Sequence, residues 1–214
     1  MKFKALCLLS GGIDSAVAAD LLRRSLEITA MTVEYGQPVA EKLAAISVCD
    51  WLGIPKVLCR VQSWNAAIMD DTNYFPARNT IFLTHALLEC ECRKIPYIIV
   101  GANKDDQKDY PDCRPEYFRA FEEVARLGTR TQVEILAPLI GLTKAEIVKM
   151  AIERGLPLKK TMSCYRPRDR TPCGMCAACN LRRSAYEANG LEFLLEQLDV
   201  DFGESKPWLH NNLP

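Results

Sequence analysis

Two kinds of apolar stretch alternate along the first two thirds of the chain. Lys4 to Leu9 is a short apolar run that stops at Ser10-Gly11-Gly12, and Asp14 to Arg24 then places Val17, Leu21 and Leu22 on one helical face. The alternation repeats, predicting strands over Ile28 to Val33, Pro55 to Val61, Tyr97 to Val100 and Glu134 to Leu136. Between them it predicts helices over Val39 to Leu52, Thr80 to Arg93 and Glu116 to Arg126. Thr143-Lys144-Ala145-Glu146 opens a further helix through Arg154 with a capping-box pattern. Strands alternating with helices predict a parallel sheet covered on both faces, an α/β doubly wound fold.

Three stretches break the pattern. Gln62 to Arg78, with Asp70, Asp71, Asn73 and Pro76, and Gly101 to Pro115 are irregular loops leaving the same end of the alternation, where long loops tend to carry function. Pro157 to Arg183 holds prolines, arginines and four cysteines with no apolar period long enough to build a core. It reads as a small metal-organised module, and the tail from Asp199 to Pro214 as irregular.

Charge and composition remove several classes of function. With 27 Lys and Arg against 27 Asp and Glu, the chain has no net charge, which disfavours direct binding to nucleic acid. No window approaches the roughly 18 apolar residues of a membrane span, so the protein is expected to be soluble. The N-terminal run from Ala5 to Leu9 is too short for a secretory signal and is soon followed by Asp14, so a mature, cytoplasmic N-terminus is expected. Ten cysteines would permit a disulfide framework. Four, however, crowd together at Cys164, Cys173, Cys176 and Cys179, and the other six (Cys7, Cys49, Cys59, Cys90, Cys92 and Cys113) are expected to be buried thiols.

Ser10-Gly11-Gly12-Ile13-Asp14-Ser15 sits between the first strand and the first helix, where unpaired N–H groups and the helix dipole favour an anion. Neither a Walker motif nor GxGxxG occurs. The plain alternative is a tight turn with Asp14 or Ser15 capping the helix. Position after the first strand favours phosphate, with Asp14 a candidate magnesium ligand. The motif resembles the pyrophosphate loop of the N-type ATP pyrophosphatases, which adenylate a substrate and release pyrophosphate.

Cys164-x8-Cys173-x2-Cys176-x2-Cys179 offers four soft ligands suited to a closed tetrahedral zinc site; an iron–sulfur cluster is the other reading. Arg166, Arg168, Arg170, Arg182 and Arg183 are placed to offset the thiolate charge, to contact phosphate, or simply to face solvent.

Taken together, Tyr35-Gly36-Gln37, Pro76-Ala77-Arg78-Asn79-Thr80-Ile81-Phe82, Tyr110-Pro111-Asp112-Cys113-Arg114-Pro115-Glu116, Leu142 to Ile147, Ser163-Cys164-Tyr165 and Pro172 to Cys179 closely resemble the QueC family of 7-cyano-7-deazaguanine synthases. The resemblance spans roughly residues 4 to 190. It implies an adenine nucleotide alpha hydrolase-like fold and an ATP-dependent carbon–nitrogen ligase that takes 7-carboxy-7-deazaguanine and ammonia to the nitrile preQ0, a queuosine precursor. It also implies ATP, Mg²⁺ and Zn²⁺ as cofactors and a cytoplasmic homodimer.

On this resemblance Leu9, Ser10, Gly11, Gly12, Ile13, Asp14 and Ser15 cradle the ATP phosphates. Lys144 is either a further phosphate contact or an ordinary first-turn lysine. Asp14, Arg78 and Asp106 are the candidate catalytic residues. Arg78, Asn103, Asp112 and Arg114 are candidates for binding substrate, the arginines through a bidentate contact to carboxylate or phosphate. Asp106 or Asp112 would receive the base's guanidine-like edge, against a plain role in turn chemistry. Cys113 has no nearby histidine and fits packing, and His85, Met150, Phe118 and Phe121 fit structural positions.

The chain departs from the family pattern at Glu34, at Pro38-Val39 after the Tyr-Gly-Gln run, at Gln107-Lys108-Asp109 and at Ala185-Tyr186. Two other readings therefore accompany the first: a diverged relative that joins the adenylated acid to a protein amine, as in antiphage defence, and a non-catalytic nucleotide-binding zinc module. The chain divides into a nucleotide-binding domain over 1–156 and a zinc-binding module with tail over 157–214.

Overall fold

Five strands form one parallel sheet: β1 (Phe3–Leu8), β2 (Leu26–Glu34), β3 (Lys56–Arg60), β4 (Tyr97–Ile99) and β5 (Glu134–Leu136), in the order β3-β2-β1-β4-β5. The computed structural model describes residues 2–61, 75–194 and 197–199. Most of the expected loop from Gln62 to Arg78, including Asp70, Asp71 and Asn73, lies outside the described residues, as does the tail from residue 200 onward.

Seven helices complete the described architecture: α1 (Ile13–Leu22), α2 (Val39–Leu52), α3 (Arg78–Arg93), α4 (Asp106–Asp109), α5 (Pro115–Gly128), α6 (Lys144–Glu153) and α7 (Ala177–Glu187). The strands are buried on both faces, and the two-residue period decides which core each side chain joins. Ala5 and Cys7 of β1, with Ile28 and Ala30 of β2, pack beneath α1, α2, α6 and α7. Leu6, Met31, Val33, Ile98 and Val100 face α3 and α5, meeting Leu83, Phe118 and Phe121. Each of these large side chains contributes about 1.5–3 kcal/mol by leaving water.

Several local expectations meet a different outcome. Helix α7 arises inside the stretch that showed no apolar period, because its inward face mixes Cys179, Arg182, Ala185 and Tyr186 rather than repeating aliphatics. The loop after β4 contains the single turn α4 and a 3-10 turn over Pro111–Cys113. Of the six scattered cysteines, Cys92 is exposed near the end of α3 and Cys59 is only half-buried, contrary to the expectation that all six are buried. The capping box at Thr143 and Glu146 is present, with Thr143 N donating to the Glu146 carboxylate at 2.7 Å.

The strand order reverses about β1, so the crevice between the C-terminal ends of β1 and β4 is the topological switch point where such sheets bind ligands. Two glycines let the chain close there. Gly11 has φ +86°, and a Cβ on it would lie 2.4 Å from the backbone N of Ala45 in α2. A Cβ on Gly101, just past β4, would lie 2.7 Å from Ser15 N and 2.9 Å from Ser15 Cα. Both obstacles are backbone, which has little room to move. Gly101→Ala should therefore cost about 1–3 kcal/mol and lower Tm by about 3–10 °C, which thermal melting checks.

Candidate active site

The loop from β1 to α1 is braced without filling its mouth. Leu9 N donates to Met31 O at 2.9 Å, and the buried Thr32 hydroxyl donates to Leu9 O at 2.8 Å. Ser10 Oγ accepts from Gly12 N at 3.3 Å, and Ser15 Oγ donates to Gly12 O at 3.2 Å. Gly12 caps α1 with no side-chain hydrogen bond, so first-turn N–H groups are left for an anion. From the far side, Met162 N donates to Gly11 O at 3.0 Å, tying the segment that leads into the cysteine module to this loop.

Asp14, in the first turn of α1, and Lys144, in the first turn of α6, form an ion pair across 130 residues of sequence. The other carboxylate oxygen of Asp14 is buried without a hydrogen-bond partner. Buried polar atoms are nearly always satisfied, so an orphan facing a cavity points to a ligand. Lys144 is held from behind, since Asp105 accepts from its backbone N–H at 2.7 Å. Asn103 is fully buried, and its Oδ1 accepts from Asp105 N at 2.9 Å and Asp106 N at 3.1 Å, orienting α4, while its Nδ2 is also unpartnered.

The crevice opens into a cavity of about 310 Å³. Leu9, Ser10, Gly12, Asp14 and Ser15 of the glycine-loop region line it together with Lys144, Arg78 and Asp106. Gly11 and Ile13 turn into the core behind the loop, and Asn103 stands behind the wall. Two expected site residues are elsewhere. Asp112 accepts from Asn79 N at 2.9 Å, capping the start of α3, and Arg114 Nε donates to Gln107 O at 3.0 Å, fixing the loop around α4.

The electrostatics of this wall are unusual. Burial, reinforced by the Asp14 carboxylate and opposed by Lys144 and Arg78, raises Asp106 from 3.8 to about 6. Burial also raises Glu41 from 4.5 to about 7, with Arg78 opposing the shift. Tyr35, hydrogen-bonded to Arg78, is pushed up to about 12 by burial. Cys113 is raised by burial and by its acidic neighbours to about 12, so it stays a thiol.

Glu41 and Asp105 were not singled out from the sequence, although one signal existed for Glu41. It is a carboxyl on the helical face that carries Ala44, Ala45 and Val48, where an apolar residue is expected. The hydroxyls of Tyr110 and Tyr165 meet at 3.4 Å on the cavity wall, and nothing in their spacing joins residues 55 apart.

The four clustered cysteines converge, with all Sγ atoms within 4.8 Å of one another. The Cys173–Cys179 and Cys164–Cys176 sulfur separations are 4.0 and 3.9 Å, near the roughly 3.8 Å edge of a tetrahedron with 2.3 Å metal–sulfur bonds. Backbone amides accompany them: Arg166 N and Cys173 N donate to Cys164 Sγ at 3.4 and 3.2 Å, and Met175 N and Cys176 N to Cys173 Sγ at 3.5 and 3.4 Å. Although burial opposes it, the Met175 and Cys176 amides, with the Cys164 and Cys176 thiols, lower Cys173 from 9.0 to about 6. The cluster can hold a metal ion.

Arg182, read from the sequence as offsetting thiolate charge, contacting phosphate or facing solvent, is buried and serves packing. It donates to Leu158 O at 2.8 Å, Thr161 O at 3.1 Å and the Tyr186 hydroxyl at 2.7 Å. Arg183 donates to Gly174 O at 2.8 Å, bracing the turn between Cys173 and Cys176. Helix α7, capped by Cys176, supplies Ala177, Ala178 and Leu181 to the cavity wall.

A switch-point cavity with a glycine loop and a carboxylate–lysine pair, beside a four-cysteine cluster able to hold a metal ion, defines an α/β protein with a parallel sheet and a C-terminal cysteine module. The chain belongs to the QueC family: the model described as queuosine biosynthesis protein QueC matches residues 4–190. It is 36% identical to the 7-cyano-7-deazaguanine synthases of Trichodesmium erythraeum and Hydrogenovibrio crunogenus, over 88% of this chain in each case and 97% and 93% of those proteins. The enzyme of the same name from Syntrophus aciditrophicus is 36% identical over 89% of this chain and 96% of its own length. Among the described residues no helix is long and apolar enough to cross a membrane.

Proposed function

We propose that the chain is an ATP-dependent carbon–nitrogen ligase converting 7-carboxy-7-deazaguanine and ammonia to 7-cyano-7-deazaguanine. The observation that carries this reading is the single cavity joining the Ser10–Ser15 loop, with its Asp14–Lys144 pair, to a wall bearing Arg78 and Asp106.

A carboxylate resists ammonia because oxide would have to leave. Attack of a carboxylate oxygen on the α-phosphorus of ATP forms an acyl adenylate and expels pyrophosphate, which the N–H groups of the glycine loop and Lys144 stabilise as its charge develops. Asp14 is the residue that would hold the magnesium ion accompanying ATP, which neutralises phosphate charge. Arg78 orients the acid.

Ammonia then attacks the acyl carbon, and Asp106, ionised above about pH 6, takes the proton as AMP departs with one former carboxylate oxygen. A second ATP then adenylates the amide oxygen, expelling a second pyrophosphate as one N–H proton is lost, and departure of AMP with loss of the second N–H proton leaves the nitrile. No enzyme nucleophile is required, in keeping with a Cys113 thiol raised to about 12. The four cysteines would hold a structural Zn²⁺ outside the reaction. By family likeness the protein is read as a cytoplasmic homodimer.

Purified protein incubated with ATP, Mg²⁺, the acid and ammonium should give the nitrile, AMP and pyrophosphate by mass spectrometry, each dependent on the acid. AMP without nitrile, accompanied by the deazaguanine mass on a protein, would replace ammonia with a protein amine as acceptor. Absence of acid-dependent ATP cleavage would overturn the reading.

A further inference from the structure

Glu41 has no part in the chemistry above, and its place in the fold is unusual for a carboxylate. It lies on α2 one turn before Ala44 and Ala45, the residues that close against Gly11, and on the face that also carries Val48. Its side chain is half-buried and lines the cavity. Among the described residues its carboxyl receives no hydrogen bond, and the charged group it interacts with is the Arg78 guanidinium of α3, with the Tyr35 phenol, one residue past β2, alongside. Its oxygens are reached from the cavity, where a ligand bringing N–H groups can pair with them.

The surrounding charges order the cavity. Asp106 interacts with Asp14 and Lys144 on one side and with Arg78 on the other, whereas Glu41 interacts with Arg78 and Tyr35. Arg78 therefore links the Asp14, Lys144 and Asp106 group to Glu41 within the one cavity that all five line. With the reacting carboxyl group near Asp106, the far edge of a bound base reaches Glu41. Arg78 and Glu41, both lining the cavity, present donors and acceptors to it.

That array complements a lactam–amidine edge, whose carbonyl oxygen accepts while its ring N–H and exocyclic amine donate in parallel. Adenine would set a ring-nitrogen lone pair against the carboxylate, so the pair also rejects the adenine of ATP. Tyr35 and Phe82, with ring centroids 5.2 Å apart, give this end of the cavity an aromatic wall.

We infer that Glu41, with Arg78 beside it, is the specificity determinant that reads the ring N–H and exocyclic amine of a guanine-type base, a role that rests on the function proposed above. The test compares 7-carboxy-7-deazaguanine with its analogue lacking the 2-amino group, following AMP release. Wild-type protein should prefer the parent acid by about 100-fold or more in kcat/KM, because the analogue leaves a buried acceptor unpaired. Glu41→Gln should lose about 10–100-fold on the parent, mainly through KM, with little change for the analogue or in KM for ATP, so the preference collapses. Glu41→Ala should behave alike, with circular dichroism and melting confirming that both variants fold.

Binding of the parent acid should weaken as pH falls through about 7 in the wild type, because the carboxylate must be ionised to accept both N–H groups. This dependence should vanish in Glu41→Gln. A variant that keeps the preference, or one that loses both acids and ATP affinity together, would overturn the assignment. If the wild type turns over neither acid, the functional reading fails and the inference falls with it, a result distinct from turnover with an unchanged preference.

Discussion

Asp14→Asn is expected to lower acid-dependent AMP formation by about 1,000-fold or more while leaving the fold intact. Asparagine has the same shape, so the packing of α1 survives. What changes is charge: one oxygen of Asp14 holds the Lys144 ammonium, and the other is a buried acceptor with no partner of its own. Replacing either oxygen with an amide N–H₂ sets a donor against Lys144 or against the metal ion proposed to travel with ATP. Lys144→Met should produce a smaller loss of about 10²-fold, since loop N–H groups still face the phosphates. Steady-state assays of AMP release check both, and near-normal turnover by Asp14→Asn would remove the residue from the machinery.

Cys176→Ser or Cys179→Ser should release the bound metal and unfold the C-terminal segment together with the active site. Metal binding by four thiolates is worth on the order of 10 kcal/mol in small modules, comparable to the whole stability of a domain. Here the loss spreads inward. Cys176 caps α7, Cys179 sits in its first turn, the same helix lines the cavity through Ala177, Ala178 and Leu181, and Ala185 and Tyr186 join the main core. Stoichiometric zinc in the wild type, absent in the variants along with the cooperative melt, is the expected outcome. A metal-free wild type that melts like its variants would contradict it, and a visible charge-transfer band would replace zinc with an iron–sulfur cluster.

The sheet and most helices were legible because their signals are local. Lys4 to Leu9 and Ile28 to Val33 are short apolar runs closed by turn residues, and Thr143 to Glu146 spells a cap within four residues. Family motifs added the glycine loop after β1 and the cysteine cluster, since both depend on near neighbours in the chain.

What escaped depends on distance. Glu41 differs from any surface glutamate only because α2 presses its small-residue face onto Gly11. Asp112 and Arg114 look like ligands in a strip of sequence, yet the fold spends them on Asn79 and Gln107. Helix α7 was hidden because a cysteine, an arginine and a tyrosine occupy inward positions in place of aliphatic residues.

The most direct test of the account is to supply 7-carboxy-7-deazaguanine with both carboxylate oxygens as ¹⁸O, with ATP, Mg²⁺ and ammonium, and to weigh the products. Activation as an acyl adenylate followed by activation of the amide predicts an unlabelled nitrile and two AMP molecules per nitrile, each carrying one ¹⁸O. Unlabelled AMP, or label appearing in phosphate or pyrophosphate, would contradict adenylation at the substrate oxygen and with it the central claim.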